Sequence, residues 1–107
     1  MEWGAGRDIV ERATANTLEL VETLLMRGVQ STDLSVTLKK NDLGLKVLFG
    51  CQNCPDLPFP KEMPPPGNLA GDWQSFAAFS GYLVRKRCSG LEVRNDKGVT
   101  QITMLFE

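Results

Sequence analysis

All six prolines of the chain fall between Pro55 and Pro66. Proline locks its own φ and has no amide hydrogen to give to a helix or a ladder, so this stretch is barred from helix and from most strand pairing. The segment from Cys51 to Gly71 therefore reads as one loop of about 20 residues, and loops that long inside a small domain are usually functional or the remains of a function. Regular structure has to be built on either side of it.

Upstream, the residues from Arg7 to Arg27 read as a helix. Val10, Ala13, Thr17, Val21, Leu24 and Leu25 recur at three- and four-residue steps and predict its buried stripe. Asp8 and Glu11 near the start and Arg27 near the end suit the helix dipole, and Gly28 is placed to end it. Trp3 lies where it can fold back on the helix. Then Leu34, Val36 and Leu38 alternate with Ser35, Thr37 and Lys39, and Leu43, Leu45, Val47 and Phe49 alternate after an Asn41-Asp42 turn. That period of two predicts a hairpin with one face on the core.

Downstream, Asp72 is a candidate N-cap for a helix running to Arg87, with Trp73, Phe76, Ala77, Phe79, Leu83 and Val84 on its apolar face and Gly90 as its stop. A last hairpin follows: Leu91 and Val93 on one strand, Ile102, Met104 and Phe106 on the next, with Gly98 in the turn. The order α-ββ-α-ββ predicts an α+β two-layer sandwich, a mostly antiparallel sheet with both helices on one face. A length of 107 residues suits one soluble domain, with residues 1–6 as an N-terminal linker and 51–71 as the proline-rich loop.

The balance of charge narrows the partners. A formal net charge of -1 leaves no electrostatic footprint for nucleic acid or an anionic membrane. No apolar run approaches the roughly 20 residues of a membrane helix, and the start of the chain lacks the apolar core of a signal peptide. The chain has no histidine, which removes the commonest general base and the commonest metal ligand. Its 3 cysteines are an odd number, which argues for a reducing compartment over a disulfide framework.

Cys51 and Cys54 have the spacing of a redox pair or half a zinc site. A redox pair needs a helix N-terminus behind its first sulfur, and Pro55, Pro58 and Pro60 oppose one. Structural zinc needs four ligands, and only Cys88, or a carboxylate such as Asp56, is on offer to extend the set. The two read better as incidental thiols, with no metal and no cofactor expected. Asn16 and Glu19, three apart on the first helix, share a face that is either a solvated polar surface or part of a site. Arg85-Lys86-Arg87 complements the dipole of the second helix and offers a phosphate or headgroup contact. Trp73, Phe76 and Phe79 read as core.

The order of elements resembles the histidine-kinase-type ATP-binding fold. RATANTLELVETLL is similar to the helix that carries that family's magnesium-binding Asn, with Asn16 at the Asn position, and GYLVRKRCSGLEVRNDKGVTQITMLFE resembles the end of anti-sigma and kinase ATPase domains. The resemblance implies Asn16 and Glu19 as cofactor-binding positions. The departures are large: Arg12 stands where the family has a Glu, no Asp-x-Gly-x-Gly follows the second strand, and KEMPPPGN replaces the phosphate-cradling glycines. A degenerate, non-hydrolysing fold is expected, so not an enzyme.

The opening EWGAGRDIVERA resembles the Trp-Gly-Ala-x-Arg-Asp segment that begins the soluble C-terminal tail of some bacterial xanthine/uracil permeases, the nucleobase–cation symporters. That resemblance implies a non-catalytic cytoplasmic regulatory or interaction domain of an inner-membrane protein. A transporter would precede it and move the nucleobase, and the domain's partner would be that transporter or another protein. The alternative is a working nucleotide-binding domain of an anti-sigma factor or sensor kinase.

Overall fold

The computed structural model describes residues 6–64 and 72–107. Its elements are α1 (Arg7–Met26), a short 3-10 turn (Ser31–Asp33), β1 (Leu34–Lys40), β2 (Leu45–Gln52), α2 (Trp73–Arg87), β3 (Gly90–Asp96) and β4 (Val99–Phe106). The expected order α-ββ-α-ββ and the α+β class are what the chain adopts. The sheet has 4 strands in the order β1-β2-β4-β3. Every pairing is antiparallel, so the two hairpins join through β2 and β4. Trp3 and the end of the proline segment, from Pro65 to Gly71, lie outside the described residues.

β2 and β4 make the floor of the core. Leu45, Val47, Phe49 and Cys51 on one strand and Ile102, Met104 and Phe106 on the other are buried, and they stand on one face because alternate residues do. Leu20, Leu24, Ala13 and Val84 close that core from the helix side. The outer strands are barely covered on either face: β1 and β3 are exposed beyond their first residues.

Local chemistry sets the element ends. α1 stops in a Schellman motif: Val29 N–H donates to the Leu24 carbonyl and Gly28 N–H to that of Leu25, with Gly28 at φ +98. The Asp72 carboxylate accepts from Gln74 N–H and the Ser75 hydroxyl, which start α2 and hold the carboxyl below its usual pKa. Lys97 and Gly98 both have positive φ, the two-residue hairpin turn whose twist matches the strands.

Four expectations change. The buried stripe of α1 is Ala13, Asn16, Leu20, Thr23 and Leu24, rotated from the one the apolar residues alone define, because Asn16 and Thr23 find partners inside. Leu43 belongs to the turn and is 72% exposed: the Asn41 side chain accepts from Leu43 N–H and Gly44 N–H and closes a four-residue loop before β2. Gly90 opens β3 instead of capping α2, whose cap is Cys88. α2 buries Ala77, Ser80, Gly81 and Val84, while Trp73, Phe76 and Phe79 are half-buried. The buried aromatics of the core are Phe49 and Phe106.

The proline segment starts later than expected and is well anchored where it is described. β2 continues through Cys51 to Gln52. Leu57 and Phe59 then pack on the core, the Phe59 carbonyl accepts from Arg85 Nε at 2.8 Å, and the Pro58 carbonyl lies where any side chain at position 81 would stand. Gly81 is thus required by the close approach of this strap to α2.

Candidate functional site

Arg12, Asn16, Glu19 and Thr23 succeed one another at steps of four, three and four, so they share one face of α1. That face meets α2. Asn16, wholly buried, donates its Nδ2 to the Val84 carbonyl at 2.8 Å and to Met104 Sδ at 3.7 Å, tying α1 to α2 and to β4. Glu19 receives the Ser80 hydroxyl at 3.1 Å on Oε2 and lies 3.5 Å from Arg87 Nη1 through Oε1. Arg12 donates to the Arg87 carbonyl at 2.9 Å, to the Glu107 carbonyl at 3.0 Å and to Asp8 at 3.0 Å. The Thr23 carbonyl accepts from Trp73 Nε1 at 3.2 Å, and Arg27 stacks over the Trp73 ring at 5.3 Å.

This seam brings Asn16 and Glu19 together, as their spacing implies, but spends them inward. Both hydrogens that Asn16 can offer point to protein atoms, and Glu19 is engaged on both oxygens. Asn16 Oδ1 and Arg87 Nη1 have no hydrogen-bond partner among the described residues. At 3.5 Å the Glu19–Arg87 pair is a charge contact, not a directed hydrogen bond, which leaves Nη1 in that position. A concavity of about 450 Å³ beside the strap, lined by Asp56, Leu57 and Trp73, does not include Asn16 or Glu19.

Arg12, Thr23, Ser80 and Arg87 join this set without having been expected in it from the sequence. The 12-16-19-23 spacing was the available signal on α1. The basic run at the end of α2 is divided in the fold: Arg85 holds the strap, Arg87 faces Glu19, and Lys86 sits over Tyr82 at 5.8 Å.

The three thiols are free. Burial pushes the Cys51 thiol up to about 12, with the neighbouring Cys54 adding to the shift. Burial also raises Cys54 and Cys88, against partial opposition from hydrogen bonds. A raised thiol pKa means little thiolate at neutral pH and low nucleophilicity, the opposite of a tuned redox pair. Among the described residues no group of three or more His, Cys, Asp or Glu gathers as a metal cluster.

The other large concavity is on the far face of the sheet, which no helix among the described residues covers. A groove of about 780 Å³ runs across it, lined by Ser35, Thr37, Gly50, Arg94, Asn95 and Gln101 among others. Gly50 keeps its floor flat, since a side chain there would run into Ser35 Oγ. Ser35, Gly50, Gln101 and Arg94 are successive cross-strand partners, so the groove crosses all the strands. Its lining offers hydroxyl, amide, guanidinium, carboxylate and ammonium groups, with Leu48 and Val99 as apolar members at separate positions.

No protein-family model, curated protein or solved structure matches the chain. No helix among the described residues is long and apolar enough to cross a membrane.

Proposed function

We propose that this chain is a non-catalytic interaction and regulatory domain, a degenerate relative of the histidine-kinase-type ATPase fold, that works by protein contact through its uncovered sheet face. The observation that carries this reading is the contrast between the two faces of the sheet. Inside, Asn16 and Glu19 are consumed in joining α1 to α2. Outside, a groove of about 780 Å³ with polar walls is open along the full width of the sheet.

The Trp-Gly-Ala-x-Arg-Asp opening supports a setting: the cytoplasmic C-terminal tail of a bacterial xanthine/uracil permease, with the transporter or another cytosolic protein as the partner. The parent protein carries the nucleobase, and the tail adjusts that transport. The position of Asn16 speaks for this reading over a nucleotide-binding one, because a magnesium-binding Asn must present its amide oxygen to a cleft and not to a helix seam.

Isothermal titration of the purified chain with magnesium-ATP, then xanthine and uracil, tests the reading directly. No heat beyond dilution is expected with ATP. Micromolar ATP binding that disappears in Asn16→Ala would overturn it in favour of the ATPase-like alternative. In the parent transporter, Arg94→Glu is expected to change nucleobase uptake while leaving the melting of the isolated domain unchanged.

A further inference from the structure

The sheet has two free edges, and they differ. β1 is a regular strand of 7 residues without proline or bulge, whose outward backbone groups meet no other strand among the described residues. Its helix-side residues Leu34, Val36 and Leu38 pair with Cys51, Phe49 and Val47. Yet Val36 is 43% and Leu38 49% exposed, because the helices stop short of this edge. An apolar, unblocked edge is a template for another strand.

The sequence of β1 is complementary to itself. We propose that β1 pairs antiparallel with β1 of a second copy about a two-fold axis at Val36, joining both sheets into one. A two-fold axis normal to a sheet keeps each side chain on its own face, so the axis has to pass through a residue. At Val36 the pairs are Val36 with Val36, Leu34 with the second copy's Leu38, and Ser35 with its Thr37. Apolar residues meet apolar ones on the helix side and hydroxyls meet on the open side. An axis at Thr37 sets Leu34 against Lys40 and Ser35 against Lys39. An axis at Leu38 sets Val36 against Lys40.

The β3 edge is the competing surface, with Glu92 and Arg94 disposed about Val93. Those two charges already contact each other within the strand at 3.7 Å, and a two-fold at Val93 would set Leu91 against Asn95 on the helix side. The match of apolar residues is complete only at β1. A partner of another sequence would gain the backbone bonds but not the matched Val36–Val36 and Leu34–Leu38 pairs.

Sedimentation of the 107-residue chain from low micromolar to about 1 mM tests this, because a single strand pair is a small interface and predicts a weak, concentration-dependent dimer. Val36→Glu places like charges opposite each other at the axis and is expected to raise Kd at least about tenfold, with an unchanged circular dichroism spectrum. Val93→Glu is expected to change nothing. A monomer over the whole range, or loss of the dimer in Val93→Glu in place of Val36→Glu, would overturn the proposal.

Discussion

α1 meets the sheet and α2 by unlike means. Toward the sheet, Ala13, Leu20 and Leu24 pack on Phe49, Ile102 and Phe106 in a dry apolar layer. Toward α2, Arg12, Asn16 and Glu19 reach carbonyls, a hydroxyl and a guanidinium over 75 or fewer residues of intervening chain. The apolar layer is non-directional, and many side chains of similar volume would fill it. The polar seam is directional. It specifies one relative placement of the helices, and each group left unmatched there carries a penalty. A domain of this size has little apolar surface to bury, and a seam of this kind fixes a second helix whose fully buried member of the core cluster is Val84.

Removing the centre of the apolar layer tests that contrast hardest. Phe49→Ala leaves a hole under the helices and is expected to cost about 3–5 kcal/mol, enough to unfold much of the population in a urea titration. Asn16→Ala strikes the seam. It strands the buried Val84 carbonyl and is expected to cost about 1–3 kcal/mol by the same titration. Asn16→Leu should fare no better, since it fills the space but leaves the acceptor unmet. Parity of Asn16→Leu with the parent chain would remove the seam's claim to specificity.

Cys51, in the apolar layer, makes stability depend on pH. Its folded pKa lies above the ordinary thiol value, at about 12, so the unfolded chain loses this proton first as pH rises. Above the ordinary value of 9.0 the folded state binds more protons than the unfolded one, and stability falls with pH until about 12. The fall from this single group is at most about 1.4 kcal/mol per pH unit. Thermal melts between neutral pH and pH about 10 should show it, and Cys51→Val should flatten the decline. The smallest effect belongs to the half-exposed end of the seam. Glu19→Gln keeps the Ser80 contact and loses the charge facing Arg87, and is expected to cost under about 1 kcal/mol.

Much of the fold was legible because its causes are local. Period-two alternation marked both hairpins, Gly28 and Gly98 marked positive-φ positions, and the capping role of Asp72 followed from its side chain. The strap was legible as proline-rich chain but not as an anchored one, because the Phe59 carbonyl depends on an arginine 26 residues away. The site was less legible. The 12-16-19-23 spacing is visible in the sequence, yet whether it faces water or a second helix is decided by where α2 lands. The apolar residues of α1 alone pointed to the wrong stripe, since hydropathy counts Asn16 and Thr23 as surface residues until their partners are known.

By itself, then, the order of residues determined the element types, their approximate ends, the class of fold and the lack of a histidine-based chemistry. Those depend on backbone preference, periodicity and composition, which act within a few residues. Only the tertiary structure decided that Asn16 lies fully buried, that Cys51 is core strand and not loop, that Gly81 exists to admit the strap, and that β1 forms a sheet edge. Each of these is set by contacts between segments far apart in the chain, and a hydrogen bond or a buried contact has no address until both of its ends are in place.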